Sequence, residues 1–321
     1  MKTRKAAVIG TGHVGAHVGY ALCAMGLVSD LVMIDQNDKK LTSEVQDLQD
    51  SQAYFNTPTR VVKGDFTDLK DCDLLINCAG RIELLIGQDD RSLELDYNIR
   101  AVDSYADKIK ESGFNGIIIN ISNPCDVITR YLAIRTGLPE NQVFGTGTAL
   151  DSSRLISLIA RETKLDPASV VAYMIGEHGN HQFAPYSAFS LHGAPVDAIL
   201  SEKQMKDFDW ADLTKKAVYG GWVTFSGKFC TEYGISTTAA RLAKAVLDDE
   251  RLIIPVSAAL NGEYGQKDLY AGVPCIIGKN GVEKVIELPL TREEAKEFDE
   301  CCSFIRKNIE ASEKIDQELR G

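Results

Sequence analysis

The chain has 321 residues, which is enough for about two domains at roughly 150 residues per domain. Its 44% hydrophobic and 25% charged residues are typical of globular proteins and exclude a disordered or low-complexity chain. There are 35 basic and 46 acidic side chains, and the resulting net charge of −11 argues against a nucleic acid or an anionic membrane as a partner.

The N-terminus lacks the pattern of a secretory signal, and no apolar run is long enough to span a bilayer. Basic residues precede the apolar residues 6–9, but a signal peptide needs about 7–15 apolar residues. We therefore interpret residues 5–9 as the first strand of a cytoplasmic protein. The cysteines show no CxxC spacing, so we expect neither a metal site nor a disulfide framework.

The first half of the chain alternates apolar strand candidates with helical patterns. The predicted strands cover residues 5–9, 31–34, 60–62, 73–79 and 116–121, and the predicted helices cover 15–25, 40–54 and 92–111. Continuous apolar strands between helices indicate a parallel sheet covered on both faces. With right-handed crossovers, residues 1–144 are therefore predicted to form a doubly wound domain of the Rossmann type, an α/β fold.

The second half is less regular and predicts a separate α+β domain over residues 145–321. The predicted elements are a helix over 151–163, a strand over 170–175, helical segments within 212–247, antiparallel strands over 274–277 and 282–288, and a C-terminal helix. We expect the segment 212–247 to break at Gly220-Gly221 and again near residue 227. Thr291 followed by Glu294 is a capping-box signature that begins the last helix.

The motif Gly10-Thr11-Gly12-His13-Val14-Gly15 follows the first strand and begins a helix. In this setting Gly10 permits a tight turn, Gly12 lets the backbone approach a pyrophosphate, and Gly15 permits close helix–strand packing. Asp35 ends the next strand, 20 residues after Gly15, where it can bind ribose hydroxyls and repel a 2′-phosphate. The pattern predicts an NAD site that includes His13 and Val14; the alternative is a glycine-rich turn without a ligand.

Three further motifs have an order and spacing that resemble the L-lactate/malate dehydrogenase superfamily. They are Ile121-Ser122-Asn123-Pro124, the segment 145–154 and Gly176-Glu177-His178-Gly179-Asn180. Within that superfamily the chain is most similar to the L-2-hydroxyisocaproate dehydrogenases, through the segments 111–114, 176–183 and 238–246. The resemblance covers essentially the whole chain and implies an NAD-dependent oxidoreductase of small 2-hydroxy acids.

Oxidation of a 2-hydroxy acid needs a base that can accept the hydroxyl proton, and histidine is the usual choice near neutral pH. The resemblance implies that His178 is this acid/base and that Asp151 orients it. Arg154 lies one helical turn after Asp151 and can bind the substrate carboxylate through two parallel hydrogen bonds. The resemblance also implies that Arg91, on a closing loop, polarises the carbonyl. A structural histidine and a surface salt bridge are the alternatives for His178 and Arg154.

The resemblance implies further contacts to the ligands. Asn123 matches a family residue that contacts both substrate and cofactor, although an Asn-Pro pair is also a common turn former. Ala79, Gly80 and Asn98 match cofactor-binding positions. Thr231 matches a position at the substrate pocket, and the alternative for it is a helix N-cap.

The segment 79–91 departs from the family pattern in length and polarity. It is two residues longer than in the common lactate dehydrogenases, and its only other arginine, Arg81, comes too early to bind a second carboxylate. Apolar side chains occupy the segment instead, at Ile82, Leu84, Leu85 and Ile86. Because each buried methylene contributes about 0.8 kcal/mol, the segment favours larger or branched substrates, with Leu84 as a predicted contact.

The sequence thus predicts reversible NAD-dependent reduction of a 2-oxo acid to an L-2-hydroxy acid, with a preference like that of 2-hydroxyisocaproate enzymes. One alternative is an L-lactate dehydrogenase with a relaxed pocket, and another is a non-catalytic NAD-binding sensor. The expected partner is a small 2-oxo or 2-hydroxy acid, with no nucleic acid, membrane or metal. The resemblance implies a homodimer or a homotetramer.

Overall fold

The computed structural model describes residues 3–87 and 91–321, with the backbone alone described for Arg91 and Ser92. Its N-terminal part alternates strands and helices. The strands are β1 (Lys5–Ile9), β2 (Asp30–Ile34), β3 (Arg60–Lys63), β4 (Leu74–Asn77), β5 (Ile117–Asn120) and β6 (Val143–Gly145). The helices are α1 (His13–Ala24), α2 (Asp38–Ser51), α3 (Leu95–Glu111) and α4 (Cys125–Thr136).

Apolar strands and short polar signals at the helix ends produce this alternation. β4 and β5 are buried along their whole length, as expected for strands covered on both faces of a sheet. The side chain of Asn37 caps α2 by accepting a hydrogen bond from the Lys40 amide. Gly26 follows α1 with a φ of +62°, a left-handed conformation that ends helices and that glycine adopts without strain.

The parallel strands lie in the order β3-β2-β1-β4-β5-β6. β1 pairs with β2 on one side and with β4 on the other, so the chain reverses its direction of travel across the sheet at this point. Loops that leave the carboxyl ends of β1 and β4 therefore diverge and open a crevice, where doubly wound folds bind ligands. The predicted Rossmann-type sheet is confirmed.

The C-terminal part adds antiparallel strands to the same sheet. Its strands are β7 (Val170–Val171), β8 (Ser190–Leu191), β9 (Leu252–Asn261), β10 (Lys267–Gly278) and β11 (Gly281–Val285). Its helices are α5 (Ala149–Thr163), α6 (Glu202–Asp207), α7 (Trp210–Lys228), α8 (Tyr233–Leu247) and α9 (Arg292–Arg320). β9 pairs with β6 through Gly145 and Ser257. β10 lies next to β9, and β11 forms the edge of the sheet. The predicted antiparallel pairing before the last helix is confirmed, and a second apolar core lies between α5, α7 and the β7–β8 segment.

One prediction about the C-terminal part is wrong, and another is confirmed only in part. α7 runs through Gly220-Gly221 without a break. A Cβ on Gly220 would lie 2.9 Å from Cδ of Arg154, so this glycine serves close packing and not a turn. The predicted strand over residues 170–175 is strand only at Val170–Val171, and the chain rejoins a neighbour at Ile175, which bridges to Phe183.

The last helix begins with the predicted capping box between Thr291 and Glu294. The apolar side chains of this helix are buried from Phe298 onward, at Cys302, Ile305 and Ile309, while Ala295 in the first turn is exposed. No prediction was made for α4 or for β9. Among residues 3–87 and 91–321, the structure has no helix with the length and apolar character needed to cross a bilayer.

Candidate active site

A cavity opens at the carboxyl ends of the parallel strands, where the N-terminal part of the chain meets α5, α7 and α8. It brings together many of the predicted site residues: Gly12, His13, Val14, Ala79, Gly80, Asn123, Arg154, His178 and Thr231. Four other predicted residues contact the lining residues: Gly10, Gly15, Asn98 and Asp151. Asp35 is connected to the wall through Thr11, which precedes Gly12. The sheet topology therefore collects at one place side chains that lie far apart in the sequence.

The glycine loop after β1 has the close contacts that its sequence suggests. Gly10 has a φ of +86°, and a Cβ there would lie 2.8 Å from the backbone nitrogen of Ala79. A Cβ on Gly15 would lie 1.8 Å from the carbonyl oxygen of Gly10. Gly12 is different, because a Cβ there meets no atom within 4 Å and would project into open space. The loop therefore leaves room for a ligand directly beside the N-terminus of α1.

Asp35, which directly follows β2, also holds the glycine loop. Its Oδ2 accepts hydrogen bonds from the backbone N–H of Thr11 at 2.6 Å and from the Thr11 hydroxyl at 3.0 Å. Its Oδ1 accepts from the backbone N–H of Asn37 at 2.8 Å. The sequence pattern predicted a contact with ribose hydroxyls for Asp35 but not this support of the loop, which depends on the buried Thr11.

His13 connects the first turn of α1 to the start of α8. Its Nδ1 lies 2.8 Å from Oε1 of Glu232, which is also paired with Lys228. Burial alone would raise the pKa of Glu232, but Lys228 and His13 together lower it. Sequence reasoning missed Glu232, because the two residues of this pair are 219 positions apart.

Asn123 faces the cavity from the loop after β5. Within the described chain its buried Oδ1 makes no hydrogen bond, and its backbone oxygen accepts one from Nδ2 of Asn98 at 2.6 Å. The peptide bond between Asn123 and Pro124 is cis. A buried amide oxygen without a partner at a cavity wall suits a ligand that donates a hydrogen bond.

A buried polar network supports this loop and the loop after β4. Nδ2 of Asn77 donates to Asn120 at 2.8 Å and to Ser122 at 3.0 Å, and Tyr105 donates to Asn77 at 2.7 Å. The Ser122 hydroxyl donates to the backbone oxygen of Ala79. The signal in the sequence is an asparagine at the end of each of two apolar strands, and sequence reasoning missed it.

His178, Asp151 and Arg154 form one hydrogen-bonded group at the inner end of the cavity. Nδ1 of His178 lies 2.8 Å from Oδ2 of Asp151, and Nη1 of Arg154 donates to Oδ1 of Asp151 at 2.6 Å. Asp151 is 1% exposed, and both of its carboxylate oxygens have hydrogen-bond partners, as a buried polar group requires. With Nδ1 of His178 engaged, Nε2 is the ring nitrogen available for proton transfer to a substrate.

The structure puts Ile82, and not Leu84, on the cavity wall. The segment Ile82–Leu85 forms a 3₁₀ helix, in which residues three apart share a face. Ile82 therefore lies on the side of the buried Leu85, while Leu84 is 39% exposed. Arg81 stacks over Tyr97, with its guanidinium carbon 5.8 Å from the ring centre.

Thr231 lines the cavity and does not cap α8, whose N-cap position is Glu232. Sequence reasoning missed several apolar neighbours that share this wall: Leu150, Phe225, Cys230 and Ile235. The backbone of Arg91 lies in a short 3₁₀ helix that ends at Glu94, and its side chain lies outside the described residues.

Comparisons with known proteins agree with this architecture. Residues 4–145 match the NAD binding domain of lactate/malate dehydrogenase, and residues 148–315 match the alpha/beta C-terminal domain of the same family. The chain is 36% identical over 312 residues to an L-lactate dehydrogenase of Fusobacterium nucleatum, covering 97% of each chain. It is 38% identical to L-lactate dehydrogenase 3 of Bacillus cereus, covering 95% of this chain and 96% of that protein.

A solved structure shows the same fold. The lactate dehydrogenase of Cryptosporidium parvum, complexed with lactic acid and nicotinamide adenine dinucleotide, superposes with a TM-score of 0.89 and is 29% identical. That match covers 98% of this chain and 99% of the other. The predicted superfamily, NAD as cofactor and the enzyme class are thereby confirmed. The chain belongs to the lactate/malate dehydrogenase family of NAD-dependent oxidoreductases that act on 2-hydroxy acids.

Proposed function

We propose that this protein reversibly reduces a 2-oxo acid to the L-2-hydroxy acid, with pyruvate and L-lactate as its principal pair. The observation that carries the proposal is the group of His178, Asp151 and Arg154 at the cavity, which joins a proton donor to a carboxylate-binding cation. The relatives named L-lactate dehydrogenase support this substrate pair. A sensor that only binds NAD would not need this group.

The residues around the glycine loop fit NAD. The space beside Gly12 and the N-terminus of α1 suits a pyrophosphate, and Asp35 lies at the end of β2, where a ribose would bind. The unpartnered Oδ1 of Asn123 suits a hydrogen-bond donor of the bound ligands. When bound, NADH supplies the hydride for reduction. We assign this binding to residues 1–144 and the acid/base chemistry to residues 145–321.

The chain's own residues then have separate tasks. Arg154 binds the substrate carboxylate and so orients the oxo group toward His178. Nε2 of His178 donates a proton to the carbonyl oxygen as negative charge develops there, and Asp151 stabilises the protonated ring. Arg91 is assigned to the carbonyl oxygen by the family resemblance. Thr231 contributes to the substrate pocket.

A second candidate is a preference for larger or branched 2-oxo acids such as 2-oxoisocaproate. The observation that favours it is the apolar wall formed by Ile82, Phe225 and Ile235. We further propose a homodimer or homotetramer, because apolar side chains are exposed at Tyr219, Val223 and Phe229 in and next to α7. A cytoplasmic location stays a prediction.

A panel of 2-oxo acids with NADH tests these proposals. We expect pyruvate to be reduced, and we expect kcat/KM for oxaloacetate to be lower than that for pyruvate by about 10-fold or more. The second carboxylate of oxaloacetate would meet the apolar Ile82 and the acidic Glu83 and Glu94 at the cavity wall. The measurement is the loss of NADH absorbance. Oxaloacetate as the best substrate would contradict both candidates.

The variant Ile82→Ala separates the two candidates. If a larger side chain binds against Ile82, this variant lowers kcat/KM for 2-oxoisocaproate by about 10-fold and changes that for pyruvate little. Leu84→Ala is the matched control, since Leu84 is exposed on the same 3₁₀ helix. If Ile82→Ala lowers kcat/KM equally for pyruvate and 2-oxoisocaproate, Ile82 does not select larger side chains. Pyruvate then stays the principal substrate.

Asp35 is expected to make the enzyme prefer NADH to NADPH, since its charge would repel a 2′-phosphate. Asp35→Ser should lower the ratio of kcat/KM with NADH to kcat/KM with NADPH by about 10-fold or more. Because Asp35 also holds Thr11, Thr11→Val is the control that removes the side-chain bond and keeps the charge. The prediction fails if the unmodified enzyme uses both cofactors equally well.

A further inference from the structure

We propose that Glu232 is a positioning residue for NAD binding, which acts through His13 and joins the glycine loop to the junction of α7 and α8. This role rests on the placement of the cofactor beside Gly12 proposed above. His13 and Thr231, the neighbour of Glu232, line the cavity, whereas Glu232 does not. It therefore acts through another residue and not on the ligands directly.

The contact between Glu232 and His13 fixes the imidazole ring. Nδ1 of His13 lies 2.8 Å from Oε1 of Glu232. Although burial raises the pKa of Glu232, its bonds to Lys228 and His13 lower it more, so the side chain is an ionised carboxylate at neutral pH. Because a carboxylate only accepts hydrogen bonds, Nδ1 of His13 carries the hydrogen. Nε2 is then the ring nitrogen left to meet a ligand.

The two side chains of this pair differ in exposure, and the difference shows which one is held. The Glu232 side chain is 11% exposed, while that of His13 is 65% exposed. The carboxylate is also paired with Lys228 near the end of α7, which fixes its direction. A largely exposed imidazole would occupy several rotamers without a partner. Glu232 is therefore the fixed residue and His13 the one that it positions.

A second contact between α1 and α8 lies one turn further along α1. The rings of His17 and Tyr233 pack edge to face, with their centres 5.4 Å apart and an angle of 72° between their planes. Nζ of Lys228 lies 4.0 Å from the centre of the Tyr233 ring. Because His13 and His17 are four residues apart, they share one face of α1 and meet consecutive residues of α8. We call these five side chains the α1–α8 clasp: His13, His17, Lys228, Glu232 and Tyr233.

The clasp joins the two walls between which the ligands bind. His13 follows Gly12, where the open space at the N-terminus of α1 suits a pyrophosphate. On the other side, Thr231 and Ile235 flank Glu232 and line the cavity. A glycine loop that is already held against α8 loses less conformational freedom when NAD binds, so the clasp is expected to raise the affinity for the cofactor.

The charge of Glu232 has the opposite effect, because a carboxylate near the cofactor repels its phosphates. Two substitutions separate the charge from the contact. Glutamine carries no charge, but its oxygen can still accept the hydrogen bond from His13. Serine is too short to reach His13 and also removes the charge. Because Glu232 occupies the N-cap position of α8 without making a capping bond, and serine is a good N-cap residue, Glu232→Ser should keep the helix stable.

Titration of the full-length protein with NADH, followed by fluorescence without any 2-oxo acid, tests the clasp. We expect Glu232→Ser to weaken NADH binding about 5-fold or more and Glu232→Gln to stay within about twofold of the wild type. In steady-state reduction, KM for NADH should rise by a similar factor in Glu232→Ser, while kcat at saturating NADH stays within about threefold. Both variants should unfold at a temperature close to that of the wild type.

A matched control and a double variant show whether Glu232 acts through His13. Glu250→Ala removes another paired glutamate, which follows the far end of α8 and is bonded to Arg241 and Lys244. It should change NADH affinity by less than about twofold. In a His13→Ala background, Glu232→Ser should also change NADH affinity by less than about twofold, because the residue that it positions is gone.

The outcomes of these titrations are distinct. Weaker NADH binding in Glu232→Ser, recovery in Glu232→Gln and no further loss without His13 support the clasp. Unchanged or tighter binding in Glu232→Ser overturns it, and so does an equal loss in the presence and absence of His13. If the wild type binds NADH but reduces none of the 2-oxo acids, the proposed reaction fails, while the binding titrations still decide the role of Glu232.

Discussion

His178→Ala is expected to lower kcat/KM for 2-oxo acid reduction by about 10²–10⁴-fold, the usual contribution of a positioned acid or base. The variant loses the proton donor and a hydrogen bond to the substrate at once. NADH affinity should change little, because the glycine loop is held by Asp35 and Thr11 and not by His178. The measurements are steady-state rates with pyruvate and NADH binding by fluorescence.

Asp151→Asn should also be strongly impaired although it keeps the shape of the side chain. Both oxygens of Asp151 accept hydrogen bonds, one from His178 and one from Arg154. Asparagine has one accepting oxygen, so its amide must face either the protonated ring or the guanidinium, and the negative charge is lost. We expect a loss of about 10²-fold or more, with weaker binding of the 2-oxo acid.

The double variant distinguishes a coupled pair from two independent residues. Because His178 and Asp151 act together, the combined loss should be much smaller than the product of the two single losses. His192→Asn is the matched control, since His192 is exposed and asparagine tolerates its φ of +51°. Multiplicative losses would show that the pair is not coupled, and near-normal turnover by His178→Ala would remove its acid/base role.

Arg154→Gln is expected to lower kcat/KM by about 10²–10⁴-fold, chiefly through a higher KM for the 2-oxo acid. Two charge-assisted hydrogen bonds to a carboxylate correspond to roughly 3–6 kcal/mol. In this structure Nη1 of Arg154 is already bonded to Asp151, so its remaining N–H groups are the ones that face a substrate. Arg154→Lys should recover only part of the loss, because an ammonium group lacks the planar fork.

The matched control is Arg161→Gln, an exposed arginine on the same helix. It should change neither KM nor kcat by more than about twofold. A KM that rises less than threefold in Arg154→Gln would show that Arg154 does not bind the substrate carboxylate. An unchanged NADH affinity of the Arg154 variants would show that their fold is intact.

Much of the N-terminal fold follows from local patterns in the chain. The apolar strands and Gly26 after α1 are short-range signals, and each places an element without knowledge of its neighbours. The capping box at Thr291 is a signal of the same kind in the C-terminal part. The glycine motif with Asp35 is equally local, because its residues belong to one βαβ unit. The group of His178, Asp151 and Arg154 was predicted from the family resemblance, which the motifs around these residues carry.

Other features depend on packing between distant segments. Gly220 reads as a helix break, but the structure uses it to admit Arg154. Leu84 and Ile82 are equally apolar, and only the 3₁₀ geometry of their segment turns Ile82 toward the cavity. The buried carboxylate of Asp126 accepts a hydrogen bond from the backbone N–H of His178, 52 positions away in the sequence. Such contacts leave no periodicity or spacing in the chain, since the energy of a buried contact depends on which surfaces the completed fold brings together.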